Sequence, residues 1–188
     1  MWPWEHLAFG YVLYSLFRHA TGRSPTGPEV FVLAAATQFP DLVDKPLSWT
    51  FGVMPTGYGL AHSIFVAPVL VAAALLVATR LGSVMWGAAF AVGYLSHLVG
   101  DVVYPYIEGD ALSLDPLLWP LVNNTGAAPE AGSIELVVYY LVRWLGDLLR
   151  LDVGLLLAFE LALATFVFGL WAYDGFPGVA MVVRPLRR

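Results

Sequence analysis

His97 and Asp101 stand four residues apart in an otherwise apolar stretch. On a helix that spacing puts both side chains on one face, with Cβ atoms about 5–6 Å apart. An imidazole nitrogen beside a carboxylate oxygen is a ligand set for Zn²⁺, and Mn²⁺ or Fe²⁺ accept it too. Asp41 and Asp44, three residues apart just beyond Pro40, form an acidic pair that a turn can aim inward. His6 and His62 each open an apolar run, whereas His19 lies among Arg18 and Arg23. A divalent metal on such groups lowers the pKa of a water and polarises a substrate oxygen. A carboxylate not fully engaged by the metal, Asp44 or Asp41, then serves as general base. Taken singly, each residue also reads as an interfacial polar group or a helix cap, and HxxxD alone is a weak motif.

What must position these groups follows from composition. A soluble domain is about 45–50% apolar and about 25% charged. This chain of 188 residues is 59% hydrophobic and 12% charged, with a mean hydropathy of +0.73. So little charge cannot cover a water-facing surface, which excludes an ordinary soluble globule. The absence of cysteine excludes disulfides, thiolate zinc sites and a Cys nucleophile. A net charge of −5 and a pI near 5.2 argue against a nucleic-acid partner. The expectation is a single integral membrane domain over 1–188, its partners membrane lipids.

Uncharged runs over Leu81–Gly100 and Ala61–Thr79, and Val153–Tyr173 with only Glu160, match the roughly 20 residues a bilayer core requires. Trp4–Arg18 and Pro28–Phe39 read as shorter embedded helices, with Pro40 stopping the second and Pro68 inside the third. Ile134–Arg150 carries Glu135, Arg143, Asp147 and Arg150, too much charge for a comfortable span, and reads as interfacial. The predicted fold is therefore all-α: a polytopic membrane bundle of about five embedded helices plus one interfacial helix, ending in a basic tail over 174–188.

Alternating helix directions collect His6, Asp41, Asp44, His62, His97 and Asp101 in one layer and leave His19 on the other side. An ionisable group at the centre of a membrane helix costs about 2.5–3.5 kcal/mol on insertion scales, and less towards the interface. Only Lys45 is near enough to pair these six, so a divalent cation is expected among them. Lys45 itself reads equally as a neutraliser of an aspartate, an anchor for an anionic substrate group, or a snorkelling interfacial lysine. Glu160 has no obvious partner in the sequence beyond Arg143, and Ser63 and Ser96 read as supporting donors or packing residues. Arg18, Arg23, Arg80, Arg184, Arg187 and Arg188 mark the cytoplasmic side by the positive-inside rule, which places the metal layer on the extracytoplasmic face of a prokaryotic cell membrane.

Five blocks carry a family resemblance: Glu5-His6-Leu7, Phe39-Pro40-Asp41-Leu42-Val43-Asp44, Ala61-His62-Ser63, the stretch from Gly93 to Asp101, and Pro116-Leu117-Leu118-Trp119-Pro120. In this order they resemble the membrane-bound metal-dependent hydrolases, a group that includes LexA-binding, inner-membrane-associated hydrolases of bacteria. The resemblance covers residues 5–120; the helices over 134–173 match only as hydrophobic segments. It implies a hydrolase whose ligands fall at the blocks above. Two positions depart from the pattern: Lys45 where the family commonly has His, and Gly57-Tyr58 where it tends to have His-Arg. The departures speak against a multi-metal centre and leave one or two ions open.

Two functions follow as expectations. One is a membrane-embedded hydrolase, acting on a lipid or lipid-linked (phospho)ester through metal-activated water, with the loop over 104–133 covering the site. The other is a non-catalytic membrane protein with a structural metal or an ion-handling or scaffold role.

Overall fold

The computed structural model describes residues 1–107, 109–122, 133–149 and 155–183. Glu108, Glu130, Arg150 and the tail arginines Arg184, Arg187 and Arg188 lie outside them. Seven α-helices and one 3-10 turn, and no strand, occur among the described residues: α1 (Pro3–Ala20), α2 (Gly27–Trp49), α3 (Ala67–Arg80), α4 (Val84–Ile107), the turn Asp115–Leu117, α5 (Ser133–Leu149), α6 (Leu155–Tyr173) and α7 (Val179–Val183). The all-helical expectation holds. Among the described residues only α4 is both long and apolar enough to cross a bilayer; Ala67–Arg80 and Ala158–Tyr173 are shorter apolar helices.

Helix α4 is the axis and packs against α1, α2 and α3. Its approach to α2 depends on Gly93, where a Cβ would come 2.8 Å from the Leu33 carbonyl oxygen and 3.0 Å from the Ala36 Cβ. Gly10 and Gly87 allow similar approaches of α1 to α2 and of α4 to α3, as small residues do where membrane helices meet. Gly93→Ala is expected to force α2 off α4 and cost about 1–3 kcal/mol. A lowered Tm in detergent reads this out. Gly146→Ala, where a Cβ meets nothing within 4 Å, should leave Tm unchanged or slightly raised.

Two boundaries correct the sequence reading. Pro40 does not stop α2, which continues through Pro40 and Pro46 to Trp49. A proline removes one helical N–H and crowds the preceding turn, but packing against α1 and α4 on both sides holds the helix through that loss. Pro68 lies in the first turn of α3 and not inside it, where the missing N–H costs nothing. His62 accordingly precedes α3, within a run of turns over 51–66.

At the far end of the bundle Asp174 accepts hydrogen bonds from Tyr11 Oη (2.6 Å) and Ser15 Oγ (2.8 Å), and its other oxygen meets His19 Nε2 at 2.6 Å. This ties the C-terminus of α6 to α1. Arg18 and Glu29 form a buried pair beside it at 3.2 Å. Helix α5 docks through Trp144, whose ring lies 4.9 Å from that of Trp4 and whose indole N–H donates to Glu160 at 3.0 Å. Trp144 is thus the partner of Glu160 that sequence spacing does not reveal.

Candidate metal centre

Because α2 runs on past Pro40, Asp41 and Asp44 occupy one helix face and are aimed by the helix, not by a turn. The segment over 51–66 folds back across that face. Tyr94 Oη on α4 holds it by donating to the Ala61 carbonyl (2.6 Å). The Pro116–Pro120 stretch holds it from the other side: Ser63 Oγ donates to the Trp119 carbonyl at 2.6 Å, and the Ile64 N–H donates to the Leu117 carbonyl at 2.9 Å. These contacts press His62 against His97 and Asp101 on α4.

Four side chains point at one place. His62 Nε2 and His97 Nε2 are 3.2 Å apart, and Asp101 Oδ2 lies 3.3 Å from the first and 3.2 Å from the second. Asp41 Oδ1 completes the group at 3.6 and 3.7 Å from the two imidazoles. It is buried and makes no hydrogen bond of its own. All four donor atoms lie within 4.8 Å of one another. An ion with tetrahedral bonds of about 2.0–2.1 Å spaces its donors about 3.3–3.4 Å apart, in the middle of the separations found here.

The far side of each imidazole is fixed. His62 Nδ1 meets Asp44 Oδ2 at 2.8 Å, and His97 Nδ1 donates to the Thr37 carbonyl at 2.6 Å. Thr37 lies on α2 one turn before Asp41, so both reach the His97 ring from the same helix. With each Nδ1 directed to an acceptor, both Nε2 atoms present lone pairs, the tautomer in which histidine binds metal. Two lone pairs and two carboxylates facing one another require a cation or a proton between them. The residues therefore fit a divalent metal.

Without a metal, the surroundings of His62 favour a proton on its ring. Burial opposes its charge, but hydrogen bonds to Asp101, Asp41 and Asp44 outweigh burial and push its pKa up to about 10. A metal must displace that proton, so acid competes with loading. Between about pH 6 and pH 8 the apparent metal affinity should rise about tenfold per unit. Competition titrations against a chelator indicator check the slope.

The two other residues singled out by sequence belong to the same cluster but stand one step back. Asp44 is fully buried, and besides His62 Nδ1 it accepts the N–H groups of Gly59 (2.9 Å), Ala61 (3.0 Å) and His62 (3.0 Å). Its oxygens are thereby spent on holding the His62 loop. His6 stacks on His97 with ring centroids 3.8 Å apart, and its Nε2 lies 3.3 Å from Asp101 Oδ1, the oxygen turned away from the four-donor group. Lys45, one turn after Asp41, donates to Asp41 Oδ2 at 2.5 Å.

Sequence reasoning passed over Thr37, and named Tyr58 and Tyr94 only within the family blocks without giving either a role. The first acts through a backbone carbonyl, which no side-chain pattern reports. Tyr58 packs edge-to-face on His62 with centroids 5.0 Å apart; its place immediately before the Gly59–His62 loop was the available signal. A family profile described as YdjM inner membrane protein matches residues 1–176. No curated protein and no solved structure shows significant similarity to the chain.

Proposed function

Since the chain belongs to the YdjM inner membrane protein family, we propose that it works within the cell membrane as a metal-dependent hydrolase of a lipid or lipid-linked ester. The observation that carries this reading is the group of two imidazoles and two carboxylates in which Asp41 Oδ1 is aimed inward yet unbonded. A bound Zn²⁺, Mn²⁺ or Fe²⁺ would acidify a water and polarise a substrate oxygen. His62, His97 and Asp101 would hold the ion, with Asp44 and Thr37 keeping the two rings in register. Asp41, the most open of the four, would take the proton at Oδ1. That passes to Asp41 the base role for which Asp44 was the other candidate, since the oxygens of Asp44 are committed to four N–H groups. By the positive-inside argument, the reaction would take place at the extracytoplasmic face.

The test is turnover of a lipid phosphoester by the full chain in nanodiscs. Activity should vanish with chelator and return with metal. Asp41→Asn should lower the rate about 10²–10⁴-fold. Activity indifferent to chelator, or to Asp41→Asn, would sink the reading.

One observation favours a second reading. Four protein donors are what closed structural zinc sites use, whereas catalytic zinc commonly has three plus an open position. In a closed site Asp41→Asn would cost metal and stability together. In a catalytic one, metal stays on the other three ligands while turnover is lost.

A further inference from the structure

The Lys45 ammonium and the four-donor group share one carboxylate. Asp41 turns Oδ1 towards the two imidazoles and Oδ2 to Lys45 Nζ. Exposure rises in one direction across the cluster: the side chains of His62 and His97 are 0% exposed, Asp101 4%, Asp41 11% and Lys45 30%. Of the five side chains, Lys45 stands nearest to solvent. That side chain is also held in place. Its Nζ lies 5.5 Å from the Trp49 ring centroid, and Gly57 lets the backbone lie so close that a Cβ there would come 3.1 Å from Lys45 Cγ. A lysine that only snorkels needs no such grip.

Two-metal hydrolases set positive charges about 3.5–4 Å apart to clamp a phosphoryl group, and Asp41 holds an ammonium on one oxygen beside the donor group that its other oxygen faces. We propose that Lys45 fills the place of the second cation, so that the site holds one metal ion and, with Lys45, binds a phosphoryl group. This rests on the reading of the four donors as a metal centre and narrows its substrate class. A phosphoester carries charge on its non-bridging oxygens, which an ammonium beside the metal can meet. A carboxylic ester is uncharged when it binds and develops a single oxyanion only in the tetrahedral intermediate, so it gains less from Lys45. Lysine meets phosphate as a point charge, so its place matters more than its orientation.

Cobalt makes both halves visible. The full chain in nanodiscs of phosphatidylcholine is titrated with Co²⁺, and the visible bands of the loaded protein are followed as inorganic phosphate is added. The expected result is one Co²⁺ per chain and a saturable band shift with phosphate. Lys45→Met should keep its Co²⁺ and bind phosphate at least about tenfold more weakly, the scale of one charged hydrogen bond. Lys45→Arg, which keeps the charge, should stay close to wild type and serves as the informative variant if Lys45→Met does not fold. Phosphatidic acid in the disc should displace phosphate if the group is lipid-borne; phosphate binding that phosphatidic acid leaves untouched assigns the same site to a soluble phosphoester. Two Co²⁺ per chain, no phosphate binding by wild type, or equal phosphate binding by Lys45→Met would overturn the proposal while leaving the metal centre standing. A wild-type protein that takes up no Co²⁺ removes the metal centre itself, and this inference with it.

Discussion

Replacing His97 with alanine is expected to strip the purified protein of metal. His97 lies within 3.7 Å of every other donor of the centre. Its Nε2 is 3.2 Å from both His62 Nε2 and Asp101 Oδ2, its Nδ1 is anchored to the Thr37 carbonyl, and its ring supports His6. Alanine removes one of the four donors and the packing that aligns two neighbours. The affinity should fall by more than the roughly 10–100-fold that follows loss of a partner behind a ligand. His19→Ala is the matched control. That histidine sits with Asp174 at the opposite end of the bundle, and its loss should leave metal content at the wild-type level. Elemental analysis of both variants, purified side by side, checks the expectation.

The second large effect is on stability and comes from Asp44. Its buried carboxylate accepts three backbone N–H groups and faces His62 Nδ1, so it is the pin of the segment over 51–66. Asp44→Ala leaves these donors buried without an acceptor. Breaking a buried charged pair in this way costs about 3–5 kcal/mol. A depressed Tm in detergent should be accompanied by about 10–100-fold weaker metal binding, because the His62 ring loses the partner that fixes it. Asp41→Asn makes the contrast. Asp41 gives one oxygen to Lys45 and none to the backbone in any hydrogen bond described above, so its loss should spare the fold and act at the centre. Equal stability losses in the two variants would show that the two aspartates have not been told apart correctly.

That distinction marks where sequence reading stops. The alternation of apolar runs suffices to bring His6, Asp41, Asp44, His62, His97 and Asp101 towards one end of the bundle, because helix direction follows from run length and connecting turns. The HxxxD spacing likewise places His97 and Asp101 on one face of α4. Which aspartate of the i, i+3 pair looks into the centre is a different matter. It depends on how the segment over 51–66 returns across α2, and that return is set by Tyr94, Ser63 and the Pro116–Pro120 stretch from distant parts of the chain. Proline was misleading for a related reason. Local rules count the hydrogen bond that Pro40 removes, whereas packing on α1 and α4 decides whether the helix survives it. The Thr37 carbonyl was hidden altogether, since any residue at that position offers the same acceptor. Glu160 shows the same limit at the bundle's edge, where Trp144, sixteen residues away, and not Arg143 supplies its hydrogen bond.

The account stands on a cation among His62, His97, Asp101 and Asp41, and metal content measures it most directly. Detergent-purified wild-type protein, dialysed mildly and analysed for all first-row divalent metals, should carry close to one ion per chain, and His97→Ala close to none. Fewer than about 0.2 ions per chain in wild type, where a tight site would be nearly full, would contradict it.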